Sequence, residues 1–161
     1  MTLVAVTRSL AVGAVVLGGI VAGFSVNRLL VELPAWVNLG PEQWASFTRH
    51  ADLGKGLLVY PLEGLAALVC SVGAAVLAHF DRSDESAFLP LHLAGVGALL
   101  AFFVTRFLIA PEVLTLRGDS PNPSSIQNAF AAVRSWWQLK AGLHTITFAC
   151  NVWGLMTLMS H

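Results

Sequence analysis

Charged residues are scarce in this chain of 161 residues. Only 11% of the residues are Asp, Glu, Lys or Arg, whereas 56% are hydrophobic. Soluble domains carry about a quarter charged residues, and a soluble fold cannot leave so much apolar surface in water. The scarcity of charge excludes a cytosolic enzyme, a nucleic-acid-binding protein and a disordered regulator. It predicts a small integral membrane protein.

The chain also lacks net charge and paired cysteines. Nine basic residues balance nine acidic residues, so no net field attracts nucleic acid or acidic lipid. Cys70 and Cys150 lie in apolar runs and form no Cys-x-x-Cys pair. We therefore expect neither a disulfide framework nor a thiol-exchange centre.

Four apolar stretches are long enough to cross a bilayer as helices, which takes roughly 20 residues each. They cover residues 3–26, 55–79, 87–110 and 137–159. We predict an all-α fold, a single domain that forms a four-helix transmembrane bundle. Two long loops, 27–54 and 112–136, then lie on one side of the membrane and form a cap. A short polar connection at residues 81–85 joins the second and third spans on the other side.

The first span carries Gly19 and Gly23, a Gly-x-x-x-Gly pair that favours close packing between helices. Such packing occurs within the bundle or between protomers, so we predict a homo-oligomer through these two glycines. We expect the span to be retained, because its apolar run is longer than that of a signal peptide and no clear cleavage site follows it.

The long loops contain helix signals and most of the interfacial residues. Gly40-Pro41-Glu42 predicts a short helix over residues 41–50, and the turn residues at 121–124 precede another helical start. Most basic residues flank the long loops, so the positive-inside rule places these loops in the cytoplasm. Four tryptophans on this side are typical of an aromatic belt at the membrane interface; they are Trp36, Trp44, Trp136 and Trp137.

Ionisable side chains inside a span are costly and usually functional, and three of them are the leading candidates here. Glu63 lies about eight residues into the second span, which is about 12 Å along a helix. Arg106 lies close to the end of the third span and His144 about seven residues into the fourth. All three positions are counted from the long-loop side. We therefore expect these side chains to reach similar depths and converge.

Polar stripes on two helices support this convergence. At about 100° per residue, Asp52 shares a face with Glu63 on the second span. The fourth span has a longer polar stripe that includes Lys140, His144, Thr147 and Asn151. A polar stripe that faced lipid would be unstable, so both stripes should face the bundle interior.

The residue types suggest specific chemistry. We expect an ion pair between Glu63 and Arg106. His144 could act as a general base, or ligate a transition metal or a haem iron with His50 as a second ligand. Asn151 could hold an oxyanion or a bound water. The alternative is a buried Glu–Arg–His network that only fixes the register of the helices.

The layout resembles the anthrone-oxygenase-like family of small four-helix membrane proteins. The matching motifs are Leu33-Pro34, Tyr60-Pro61-Leu62, Ala110-Pro111, and Trp137 followed by Leu143-His144-Thr145. The resemblance implies oxygenation of an activated aromatic, such as an anthrone that becomes an anthraquinone. Only His144 is carried over by motif.

Two positions depart from the family pattern. Thr147 stands where the family often has an arginine, and Glu112 stands where it commonly has an asparagine. If these polar groups bind substrate in relatives, this chain has a different substrate or none.

The leading prediction is a membrane-embedded, oxygenase-like oxidoreductase that acts on a lipophilic small molecule from the membrane lipid. Its catalytic residues would be His144, Glu63, Arg106, Asn151 and Asp52, with haem, a metal or no cofactor. A small proton-coupled transporter that uses Glu63 is a second hypothesis. A non-catalytic membrane subunit is the third.

Overall fold

The computed structural model describes residues 3–80, 85–118 and 122–160, and every element in these ranges is helical. The all-α prediction is confirmed there, while most of the short connection predicted at 81–85 lies outside the described residues. The α-helices are α1 Leu3–Asn27, α2 Leu33–Leu39, α3 Pro41–His50, α4 Gly56–Phe80, α5 Glu85–Phe103, α6 Ala110–Leu114 and α7 Pro123–Met159. Three π-helical segments and one 3-10 turn connect them, at Arg28–Glu32, Ala51–Lys55, Val104–Ile109 and Thr115–Arg117.

The four long helices pack in a ring, in which α1 contacts α4 and α7, and α5 contacts the same two helices. Small residues allow the close approach. A Cβ atom added to Gly95 would lie 3.1 Å from Cβ of Ala75, and Gly97 packs directly on Thr147. Small residues at such contacts are typical of helix packing in membranes.

Three continuous helical stretches are long and apolar enough to span a membrane: residues 3–39, 41–80 and 85–117. This finding agrees with the prediction of an integral membrane protein. The fourth predicted span, 137–159, is not among the span-capable helices of the described chain. His144, Asn151 and several threonines explain this difference, because polar side chains lower the mean hydropathy of the second half of α7.

The two long connections are mainly helical rather than loops. The helical start predicted after the turn residues 121–124 is confirmed, because α7 begins at Pro123, but the expected break before a separate helix near Trp137 is absent, since α7 continues to Met159. The side chain of Asn122 accepts a hydrogen bond of 3.2 Å from the backbone N–H of Ser124, and proline at the first helical position favours this start. The region 27–54 is also helical, and the predicted helix at 41–50 is confirmed as α3.

These connecting helices build a cap with a hydrophobic core of its own. Trp44, Leu116 and Ala129 are almost fully buried where α3, the 3-10 turn and the start of α7 meet. Trp36 and Trp137 are buried as well, so the interpretation of an outward-facing aromatic belt is wrong for these three tryptophans. Of the four, only Trp136 is exposed.

The glycine pair of the first span has two different environments. A Cβ atom on Gly19 would lie 3.2 Å from the ring of Phe148 in α7, so this glycine packs within the chain. Gly23 is exposed and has no heavy atom within 4 Å of its Cβ position. The homo-oligomer stays a prediction.

We expect Gly154→Ala to lower the free energy of unfolding by about 1–3 kcal/mol, because it overpacks a rigid contact. The new Cβ atom would lie 2.6 Å from Cδ2 and 2.9 Å from Cγ of Leu91, whose side chain is fully buried. Gly142→Ala in the same helix is the matched control, since nothing lies within 4 Å of its Cβ position. SDS titration in mixed micelles measures both. Equal stability of the two variants would contradict the tight contact.

Candidate functional site

A cavity of about 620 Å³ lies at the cap side of the bundle. It extends from Gly18, Ser71 and Thr147 in the bundle to Trp36 and Trp44 in the cap. Leucine, alanine, valine and aromatic side chains make up most of its wall. Its size is that of a small-molecule site, and its few polar groups are the ones that can orient a ligand.

The cavity brings together four of the predicted site residues. Asp52, Glu63, Arg106 and His144 all line it. His144 is half-buried, and neither of its ring nitrogens has a hydrogen-bond partner among the described residues. The imidazole is therefore free to act on a bound molecule.

The predicted ion pair between Glu63 and Arg106 is wrong, because no contact within 4 Å joins their charged groups. Arg106 belongs to the π-helical segment, where its guanidinium lies 5.9 Å from the ring of Phe107 and the residue is exposed. Glu63 is half-buried and has no ion-pair or hydrogen-bond partner among the residues that the structure describes.

Asn151 and His50 lie outside the cavity wall. Asn151 is fully buried, and its Nδ2 donates a hydrogen bond of 3.0 Å to Oγ of Ser71, which does line the cavity. Asn151 therefore holds Ser71 in place at the cavity wall without lining the cavity itself. His50 is exposed at the end of α3, and its Nδ1 lies 2.8 Å from the carbonyl oxygen of Ser46.

The residues present do not provide a metal site. Within the described ranges, no three His, Cys, Asp or Glu side chains group closely enough to hold a metal ion. His50 does not join His144 at the cavity, so the predicted pair of axial ligands for a haem iron is not assembled either.

The structure adds a buried cation that the sequence interpretation counted only as a topology signal. Arg28 is 5% exposed, and its guanidinium forms ion pairs with Asp52 and, at 3.2 Å, with Glu32. Four aromatic rings surround it with centroids between 4.8 and 5.4 Å away, namely those of Phe24, Trp36, Tyr60 and Trp137. This aromatic cage fixes Arg28 at the cavity wall, where α1, α4, α7 and the cap meet.

Lys140 is the second cation at the wall. Its Nζ lies 4.5 Å from the ring of Trp137, and no carboxylate lies within 4 Å of it among the described residues. His144 follows one turn later on the same helix and lines the same cavity. The imidazole of His144 can take a proton from an acidic group, and the ammonium of Lys140 can stabilise the resulting anion.

Sequence reasoning missed Arg28 because it lies just beyond the first span, where an arginine usually marks topology. One signal could have indicated its role. Arg28 and Glu32 are four residues apart on one helical segment just after the first predicted span. Asp52 lies just before the second predicted span, and therefore at the same side of the membrane. The pairing of Arg28 with Asp52 depends on the cap fold, which local patterns do not predict.

No family model, curated protein or solved structure matches this chain. The resemblance to the anthrone-oxygenase-like family therefore stays a prediction.

Proposed function

We propose that the chain is a multi-pass membrane oxygenase that acts on a lipophilic aromatic small molecule with an acidic C–H or O–H group. The observation that carries this proposal is the position of Lys140 and His144, on successive turns of α7, at the wall of one mostly apolar cavity. The apolar wall suits aromatic rings, and the two basic side chains suit the acidic group.

In this proposal the second half of α7 is the fourth span of the bundle. It packs against α1 and α5, which belong to span-capable stretches. Its polar stripe can cross the bilayer because Thr147 and Asn151 are buried against these neighbours rather than exposed to lipid. The cap then lies at the membrane surface, on the cytoplasmic side by the positive-inside rule.

The reaction needs only a base and molecular oxygen as the oxidant. His144 accepts the acidic proton of an anthrone-like molecule, and Lys140 stabilises the oxyanion of the resulting enolate. The enolate carbon gives electrons to O₂, a C–O bond forms, and the O–O bond breaks with release of water. One anthrone and one O₂ give one anthraquinone and one water, so atoms and electrons balance.

Oxygen uptake with anthrone as the probe tests the proposal. We expect detergent-purified protein to consume O₂ and anthrone in equal amounts, and anthraquinone absorbance to rise at the same rate. Heat-denatured protein is the control for spontaneous oxidation. A rate no faster than this control would count against the oxygenase.

Cation binding in competition with protons separates the other two hypotheses. In a proton-coupled transporter, Glu63→Gln would abolish cation binding in competition with protons, and anthrone would not be oxidised. The absence of an Arg106 partner for Glu63 removes one objection to that hypothesis. In a non-catalytic subunit, neither Glu63→Gln nor a change at His144 would alter any activity of the isolated chain.

A further inference from the structure

One of the four seams between the long helices differs from the others near the cap. The α1–α7 seam is closed by Trp137, whose Nε1 donates a hydrogen bond of 3.4 Å to the carbonyl oxygen of Ser25. The rings of Phe24 and Tyr60, 5.0 Å apart, close the α1–α4 seam. The α5–α7 seam is closed by the apolar core of the cap, in which Val104 is buried.

In its far half the α4–α5 seam is closed by small residues. There Gly95 packs on Ala75 and on the backbone oxygen of Ser71. Towards the cap, no hydrogen bond, ion pair or ring contact joins residues 56–70 to residues 98–114 among the described residues. The cavity itself lies between these two segments.

The first half of α4 is correspondingly uncovered. None of the residues 57–70 is buried, whereas Ser71 and several residues after it are. Leu57 and Leu65 line the cavity and yet are 37% and 46% exposed. Pro61 interrupts the regular hydrogen bonding of α4 at this level, and the π-helical segment Val104–Ile109 does the same directly after α5. These interruptions allow the two helices to diverge.

We propose that the cavity opens sideways between α4 and α5 into the acyl-chain region of the bilayer, and that apolar molecules dissolved in the membrane enter by this route. Gly64 lies at the opening: it lines the cavity, and a Cβ atom there would meet nothing within 4 Å. Arg106 lines the cavity from the other side of the opening and is exposed. This inference rests on the proposed function only for the nature of the ligand.

Tryptophan quenching by brominated lipid tests the opening without any enzymatic assay. The base protein carries Trp136→Phe and Trp153→Phe, which removes the two exposed tryptophans. The three that remain, Trp36, Trp44 and Trp137, are buried and line the cavity. In dibrominated phosphatidylcholine vesicles, we expect acyl chains that enter the cavity to quench this fluorescence.

A bulky side chain at the opening supplies the decisive comparison. We expect Gly64→Phe to lose most of the quenching, because its ring fills the open space between α4 and α5. Gly142→Phe is the matched control and keeps the quenching, since Gly142 is exposed, uncrowded and outside the cavity wall. Gly64→Leu, a smaller change, should give an intermediate loss, and circular dichroism checks the fold of each variant.

Two results would overturn the proposal: no quenching of the base protein, or equal quenching in Gly64→Phe and Gly142→Phe. Either result leaves the oxygen-uptake experiment unaffected, because that assay uses anthrone and detergent-purified protein. A failure of the oxygenase proposal would, in turn, leave the quenching comparison intact.

Discussion

We expect Arg28→Met to lower the free energy of unfolding by about 3–5 kcal/mol, since removal of one partner of a buried ion pair leaves the other charge uncompensated. Arg28 is buried and pairs with Asp52 and Glu32, which come from different segments of the first connection. Methionine fills part of the aromatic cage but offers no positive charge. Asp52 would then lie half-buried without its cation.

The free energy of unfolding is measured by SDS titration in mixed micelles, with circular dichroism as the signal. Arg117→Met is the matched control, because Arg117 is exposed on the 3-10 turn, and exposed substitutions usually change stability by about 0.5 kcal/mol or less. Addition of Asp52→Asn to Arg28→Met should recover part of the loss, because it removes the stranded charge. Stability of Arg28→Met equal to that of Arg117→Met would show that the ion pair does not hold the cap on the bundle.

We expect Arg28→Lys to have a higher free energy of unfolding than Arg28→Met, but a lower one than the wild-type protein. The planar guanidinium lies among four rings and reaches two carboxylates, whereas an ammonium is a compact and strongly hydrated charge. The aromatic cage and the two ion pairs therefore both favour arginine at this position over a residue that only supplies positive charge.

The apolar runs predicted the helices well because a bilayer requires uninterrupted helical hydrogen bonding. The predicted first span, 3–26, ends one residue before α1 does, and the second, 55–79, differs from α4 by one residue at each end. The turn residues at 121–124 predict a helical start, and α7 begins there at Pro123. The continuity of this helix with the span at 137–159 was not predictable, because its first turns are polar and the local signals at Asn122 and Pro123 carry no information about the length of a helix.

The candidate site was predictable where it depends on depth and helix face. Those two properties alone place Glu63 and His144 at one cavity wall, as expected. The failure of Arg106 to pair with Glu63 was not predictable, because Arg106 lies in a π-helical segment whose register differs from that of a regular α-helix. The cage around Arg28 combines α1, α2, α4 and α7, and such a contact arises only when the whole cap has folded.

The cap forms part of the cavity wall. Its tryptophans turn inward and supply the upper wall of the cavity, and Trp137 contacts both cations there. Five charged residues line this apolar space, namely Arg28, Asp52, Glu63, Arg106 and Lys140. The ring of Trp137 lies against the ammonium of Lys140, and this contact offsets part of the cost of burying the charge.

If the oxygenase proposal holds, we expect His144→Ala to lower the rate of anthrone oxidation by about 10²–10⁴-fold, the usual contribution of a general base. The variant keeps the cavity and Lys140, so binding of anthrone, measured by tryptophan quenching, should change little. His144→Gln preserves size and polarity but cannot accept the proton, and should be as slow as His144→Ala. A role limited to packing predicts the opposite, namely that glutamine restores the rate.

His50→Ala is the control for histidine outside the cavity and should keep the wild-type rate, since His50 is exposed and bonds only to the backbone of α3. Addition of imidazole to the His144→Ala protein should restore part of the rate, because a cavity of about 620 Å³ has room for a free base where the side chain has been removed. A His144→Ala protein that oxidises anthrone at the wild-type rate would remove His144 from the reaction. The unpaired Lys140 would then be the remaining basic side chain beside His144 at the α7 wall, and Lys140→Met would be the next variant to measure.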